Sequence, residues 1–259
     1  MSTYFRPPAA DPARRAVRGV IRRRLLVNAV VDPDEAATRL PAGLRPHVTD
    51  AGTVVGCCLL ELEQLRPAWL PAGVGTAMRA AAHRLSVEWD DADGHTIVGV
   101  FVPMRHSDSR LAVALGGRRF PGAHRRADST IATGDGALRW QVAPHDRAGL
   151  GIRVTATTAG GGVPTDPAEI VGRTCLTTDL GLSVDHRGQV EGARMTPDHR
   201  RATPVTIEAL DAAFLRGFAT ARPAPSYLMR DVGVTWTVAP APALAPTTTT
   251  TSTGTAAAA

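Results

Sequence analysis

The stretch Gly116-Gly117-Arg118-Arg119-Phe120-Pro121-Gly122-Ala123-His124-Arg125-Arg126-Ala127 gathers more potential chemistry than any other part of the chain. Arg118, Arg119, Arg125 and Arg126 are permanently charged, forked donors whose geometry matches the two oxygens of a carboxylate, enolate or phosphate. His124 titrates near neutrality and can move a proton. A solvated basic turn has the same composition, so the stretch acquires meaning only from its surroundings. If Arg118 and Arg119 lie in extended chain they face opposite ways, and only one of them can point inward.

The basic residues also restrict the reaction. All 29 of them are arginine, and the sequence contains no lysine. No side-chain amine is available to form a Schiff base, and a guanidinium, protonated at any physiological pH, cannot stand in for one. The candidates for acid–base work are His124, Glu88, Glu61 and His83. In a basic pocket the pKa of His124 would fall, whereas a water-facing loop histidine would do nothing. Glu61 follows an apolar strand and Glu88 lies between Val87 and Trp89, so either could instead pair an arginine as a structural ion pair. His106, Ser107 and Asp108 are neighbours, but no Gly-x-Ser-x-Gly elbow accompanies them, which argues against a hydrolase triad. Cys57 and Cys58 would point to opposite faces of a strand, and Cys175 is distant. There is no Cys-x-x-Cys and no His-Glu-x-x-His, so neither a disulfide framework nor a metal site is expected.

These residues need elements to hold them. With 44% hydrophobic but only 4% aromatic residues in 259, the core must be built mostly from Val, Leu, Ile and Ala, which favours many short strands. The formal charge of +5 and pI of about 10 come with abundant Ala, Gly and Pro and reflect base composition. No nucleic-acid motif or row of stacking aromatics accompanies them, so no nucleic-acid partner is expected. The apolar run Leu25 to Val31 that follows the basic start is too short for a signal core or a membrane span, which points to a cytoplasmic protein with no membrane partner.

Along the chain, residues 1–19 read as a flexible basic arm, 20–238 as one domain and 239–259 as a disordered Pro/Ala/Thr tail. Strands are expected at Arg24 to Val31, at Thr53 to Leu62 (apolar on both faces), and at His83 to Trp89 and His95 to Val102 around an Asp/Gly turn. Further strands are expected at Leu111 to Leu115, Ser129 to Thr133, Ala137 to Val142, Gly151 to Thr157, Cys175 to Asp185, Val190 to Met195 and Val232 to Val238. A short helix capped by Asp32 fits residues up to Leu40, and Ile207, Leu210, Phe214, Leu215 and Phe218 are spaced for a helix from Pro204 to Ala219. The sum is a β-rich α+β domain with two or so helices, folded as a closed or nearly closed antiparallel β-barrel.

Three blocks carry a family resemblance. The first is the arginine-led strand with Asp32-Pro33-Asp34-Glu35 and Leu40-Pro41-Ala42-Gly43-Leu44. The second runs from Val102-Pro103-Met104 and Ser107-Asp108 through Gly117-Arg118 to Arg125-Arg126-Ala127. The third joins Cys175-Leu176-Thr177-Thr178-Asp179, the strand to His186, Ser226-Tyr227-Leu228 and Val232-Gly233-Val234. Together they resemble the acetoacetate decarboxylase superfamily, in particular its uncharacterised branch (domain of unknown function). The resemblance implies the barrel fold and a central cavity. It places Arg119 where the family has a glutamate, and Arg125 and Arg126 where it has the Schiff-base lysine and the lysine beside it. It also makes Arg118 and Arg125 the preferred ligand contacts and puts Arg24 near the family's substrate-carboxylate arginine. The implied cavity would take a small anionic, oxo-acid-like molecule and use no cofactor. Its chemistry would be lyase- or isomerase-like enolate or proton transfer without an imine. A non-catalytic ligand-binding or accessory protein on the same fold is the alternative, and homo-oligomerisation stays open.

Overall fold

Arginine repeats do not stop the first strand. β1 (Val17–Val31) runs through Arg22-Arg23-Arg24 and is buried on both faces from Arg24 to Val31. The computed structural model describes residues 16–91, 93–118, 121–147, 149–158, 176, 178–185 and 189–239. Arg119, Cys175, His186, the triple glycine and the tail beyond residue 239 therefore lie outside the described residues. β1 starts inside the stretch expected to be an arm, because Val17, Gly19 and Ile21 find partners in neighbouring strands.

β1 pairs with β4 (Gly52–Pro67) and β13 (Arg222–Ala239). β4 continues to β5 (Thr76–Asp90) and the expected hairpin to β6 (Thr96–Ser107). From β6 the sheet passes to β7 (His124–Gly134), β8 (Ala137–Pro144), β9 (Ile152–Thr157) and β12 (Thr203–Ala212), which returns to β13. Nine strands thus close a mixed barrel within a 13-stranded sheet. β10 (Leu180–Val184) and β11 (Val190–Pro197) make a second path from β6 to β13, while β2 (Arg45–Pro46) and β3 (Val48–Thr49) extend the edge. Closure removes the free strand edges. The barrel is not wholly antiparallel, since β6 runs parallel to both β7 and β10.

Among the described residues, three short helices with both ends defined sit outside the strands: α1 (Pro33–Ala37), α2 (Arg110–Leu115) and α3 (Ala213–Arg216). α1 matches expectation, with the Asp32 carboxylate accepting from Asp34 N. α2 replaces an expected strand, because Ser109 caps Ala112 N and the run contains two helix-favouring alanines. The expected long helix from Pro204 is instead β12 followed by α3. Val205, Thr206 and Ile207 are β-branched and pair with β13 and β9, so tertiary pairing overrides the helical spacing.

Leu25, Val27, Leu59 and Leu85 share one core with Trp140, Ile152 and Val154, which marks that face of β1, β4 and β5 as the interior of the nine-stranded barrel. Leu26, Cys58, Tyr227 and Met229 face the other way and pack with Leu176, Ala202, Met195 and Trp236. Both faces of the shared strands are therefore dry. A polar side chain on either face is out of water and must find a partner.

Candidate anion site

The register of five strands builds a grid on the second face. One row reads Met229, Arg24, Leu60, Ala80 and Ser107 across β13, β1, β4, β5 and β6. The next reads Tyr227, Leu26, Cys58, Ala82 and Arg105. A third contains Asn28, Gly56 and Arg84. Members of each strand differ by two residues, so they project from the same side. Arg24, Arg84 and Arg105 thus point to one face, around Cys58 and the small residues Ala80, Ala82 and Gly56. Gly56 is required here, since a Cβ at its position would strike the Val27 carbonyl oxygen and crowd Arg84 Nη2 and Asn28 Oδ1.

Sulfur, amide and hydroxyl groups help to hold these three cations. Arg24 Nε donates to Cys58 Sγ at 3.3 Å and Arg24 Nη1 to Met229 Sδ at 3.8 Å. Arg84 is 2% exposed, and its Nη2 donates to Asn28 Oδ1 while Nε and Nη1 have no hydrogen-bond partner among the described residues. Asn28 is itself fixed by donating Nδ2 to the Pro225 carbonyl oxygen at 2.6 Å. Arg105 Nη1 donates to Ser183 Oγ. Arg105 is only partly buried as a residue, but its guanidinium is enclosed, and burial pulls its pKa down to about 10 against the opposing pull of Cys58 and Glu191. Asn28 also forms part of the wall of a cleft of about 370 Å³ between β12 and β13, bounded by Leu215, Phe218 and Ser226.

The glycine-rich stretch meets this face at Gly122 and His124. Gly122 has φ of +90°, and a Cβ there would run into Arg105 Nη1 and approach Ser183 Oγ, while its N–H donates to Glu191 Oε2 at 3.1 Å. His124 Nδ1 lies 3.0 Å from the Gly122 carbonyl oxygen; a carbonyl can only accept, so Nδ1 carries the hydrogen and Nε2 keeps its lone pair. Burial, reinforced by Arg105, pushes the His124 pKa down to about 4, and the ring is neutral at pH 7.

The other expected site residues lie elsewhere. Arg118 is exposed and contacts the Ala114 carbonyl oxygen at 3.5 Å. Arg125 and Arg126 belong to β7. Arg125 is half-exposed and pairs with Asp146 at 3.3 Å; Arg126 is partly buried, and its Nη1 has no partner among the described residues. Glu61 pairs with Arg23 at 2.5 Å and Arg79 at 3.8 Å, and Glu88 with Arg45 at 3.4 Å and His47 at 3.0 Å, which is the ion-pair reading of both acids. His83 faces the barrel interior with Cys57 Sγ 3.4 Å from its Nδ1, beside the rings of His106 and Phe214. Asp91, Asp93 and His95 bring ligand atoms within 4.8 Å of one another at the β5–β6 turn, but the Asp91 carboxylate is taken up by the Asp93 and His95 amides. Sequence reasoning passes over Arg84 and Arg105. The available signal for Arg84 is an arginine within the mostly buried run from Ala80 to Trp89.

Over nearly its whole length the chain superposes on the acetoacetate decarboxylase fold. An acetoacetate decarboxylase from Legionella pneumophila is 14% identical, with a TM-score of 0.60 over 92% of this chain and 94% of that one. An acetoacetate decarboxylase-like enzyme from Sphingomonas wittichii RW1 is 17% identical, with a TM-score of 0.60 over 93% and 97%. The enduracididine biosynthesis enzyme MppR, solved in complex with pyruvate, is 14% identical, with a TM-score of 0.54 over 86% and 87%. No protein-family model matches the sequence, and no curated protein matches it.

Proposed function

We propose that the protein binds a small oxo acid or related carboxylate through Arg84, Arg24 and Arg105 and supports enolate or proton-transfer chemistry on it without an imine. Arg84 carries this reading. A guanidinium 2% exposed and held by one amide oxygen keeps Nε and Nη1, on opposite edges of the fork, unpartnered among the described residues, and each is a charged donor that a carboxylate oxygen can accept from. Burying such a charge without an anion is costly, and a carboxylate ligand offsets that cost on binding.

The chemistry depends on the groups around the anion. Guanidiniums fixed in a dry site stabilise negative charge developing on an enolate oxygen. His124, neutral with Nε2 unprotonated, supplies a proton acceptor beside Arg105. MppR has been solved in complex with pyruvate on a barrel of this fold, which supports the choice of an oxo acid as ligand. On this reading Arg125, engaged by Asp146, is not a ligand contact.

Calorimetric titration with pyruvate and with oxalate tests the reading. Both should bind the wild type and Arg125→Ala, and neither should bind Arg84→Met. Binding that survives Arg84→Met, or that is lost only in Arg125→Ala, would sink it. Mass spectrometry of oxo acids incubated with the protein then separates turnover from retention.

A further inference from the structure

We propose that Cys58 is the nucleophile of this site, adding its sulfur reversibly to the carbonyl carbon of the oxo acid whose carboxylate the guanidiniums hold. The inference rests on the binding reading above and adds a covalent step to it. Cys58 sits in the middle row of the grid, next but one to Arg105 in register, and Sγ accepts from Arg24 Nε at 3.3 Å. Arg84, with two unpartnered nitrogens, projects from the same face one row away. Burial pushes the Cys58 thiol up, but Arg24 and Arg84 together outweigh it and bring the pKa below the ordinary value.

The adjacent cysteine provides an internal contrast. Cys57 points to the opposite face, lies against His83, and burial raises it to about 12, so it stays a thiol. Thiolate, not thiol, attacks a carbonyl, and cationic neighbours are what create it. In a chain without lysine, a thiolate is the remaining side chain that captures a ketone carbon well at neutral pH.

The step balances without oxidant or cofactor. A sulfur lone pair forms the S–C bond, and the C=O π pair moves to oxygen. The resulting alkoxide, held by the guanidinium donors, takes a proton from solvent to give a thiohemiketal. Reversal returns the carbonyl compound and the thiolate.

Two probes on the full-length protein test this. The first is alkylation by iodoacetate and by iodoacetamide, with the modified cysteine located by peptide mass mapping. In this step the S–C bond forms and iodide leaves. Ordinary thiols react more slowly with the anionic reagent, but Cys58 should react about tenfold faster with iodoacetate than with iodoacetamide. Oxalate should protect it, and Arg84→Met should abolish the preference. The second is pyruvate labelled with carbon-13 at its carbonyl carbon. It should give the resonance of a saturated, sulfur-bearing centre, absent in Cys58→Ala and in Cys58→Ser, with thermal melts showing that the variants fold. If the wild type binds oxalate but gives no adduct and leaves Cys58 unalkylated, the nucleophile inference is overturned and the binding reading stands. If Cys58 is alkylated with no anion preference and oxalate does not bind, the binding reading is the one that fails.

Discussion

Arg84 and His83 are adjacent in the chain, face opposite sides of the same strand, and respond to different changes in conditions. Replacing Arg84 with Met removes a buried charge that meets an amide and a thiol. The ligand-free variant should be at least as stable as the wild type, in line with the general behaviour of buried charges exchanged for apolar groups. It should lose the stabilisation that a saturating carboxylate confers, about 2.7 kcal/mol at a hundredfold excess over Kd. Thermal melts with and without oxalate measure both. His83 is held by burial, with His106 beside it, at about 4, below its ordinary 6.5. The unfolded chain therefore binds this proton more tightly than the folded one. The contribution is fully present above about pH 6.5 and is lost as pH falls toward 4, amounting to about 3 kcal/mol. Urea melts at about pH 7 and about pH 5 should show a steeper loss in the wild type than in His83→Phe, and parallel losses would contradict the assignment.

At the scale of elements, the glycine-rich stretch matters for its backbone more than for its charge. Gly122 is held at φ of +90° against Arg105 and Ser183, so Gly122→Ala combines left-handed strain with a collision at the Arg105 guanidinium. A loss of about 1–3 kcal/mol in urea melts is expected, with weaker oxalate binding. Ser109→Ala removes the side-chain cap of α2 and should cost about 1 kcal/mol. The strand pattern, the β5–β6 hairpin and the Asp32 cap are legible in the sequence because they depend on local alternation and turn chemistry. Leu111 to Leu115 reads as a strand because it is a short apolar run, yet alanine content and a serine cap make it a helix. Residues 204 to 212 read as a helix because Ile207 and Leu210 fit helical spacing, while their actual partners, in β9 and β13, are remote in the chain.

For the whole molecule, β1 binds the barrel shut by pairing with β13 at the far end of the domain. Val232 to Ala239 complete both β1 and β11, so removing them leaves two unpaired edges and an open core. A chain ending at Asp231 should lose its cooperative denaturant transition and its near-ultraviolet dichroism; retention of both would mean that closure by β13 is dispensable. The same long-range pairing explains why the proposed anion site is only partly readable from sequence. Arg24 is within reach of the family resemblance. Arg84 and Arg105 become its neighbours only through the register of five strands, and no local spacing encodes that register. The loop arginines attract attention through density of charge, but Arg118 faces solvent and Arg125 has a carboxylate partner. The most direct test of carboxylate binding by Arg84 is a crystal structure of the protein soaked with oxalate. The dianion should lie on the second sheet face, with a carboxylate oxygen within hydrogen-bonding distance of Arg84 Nε or Nη1; oxalate seated on Arg118 or Arg125, with the Arg84 face empty, would contradict it.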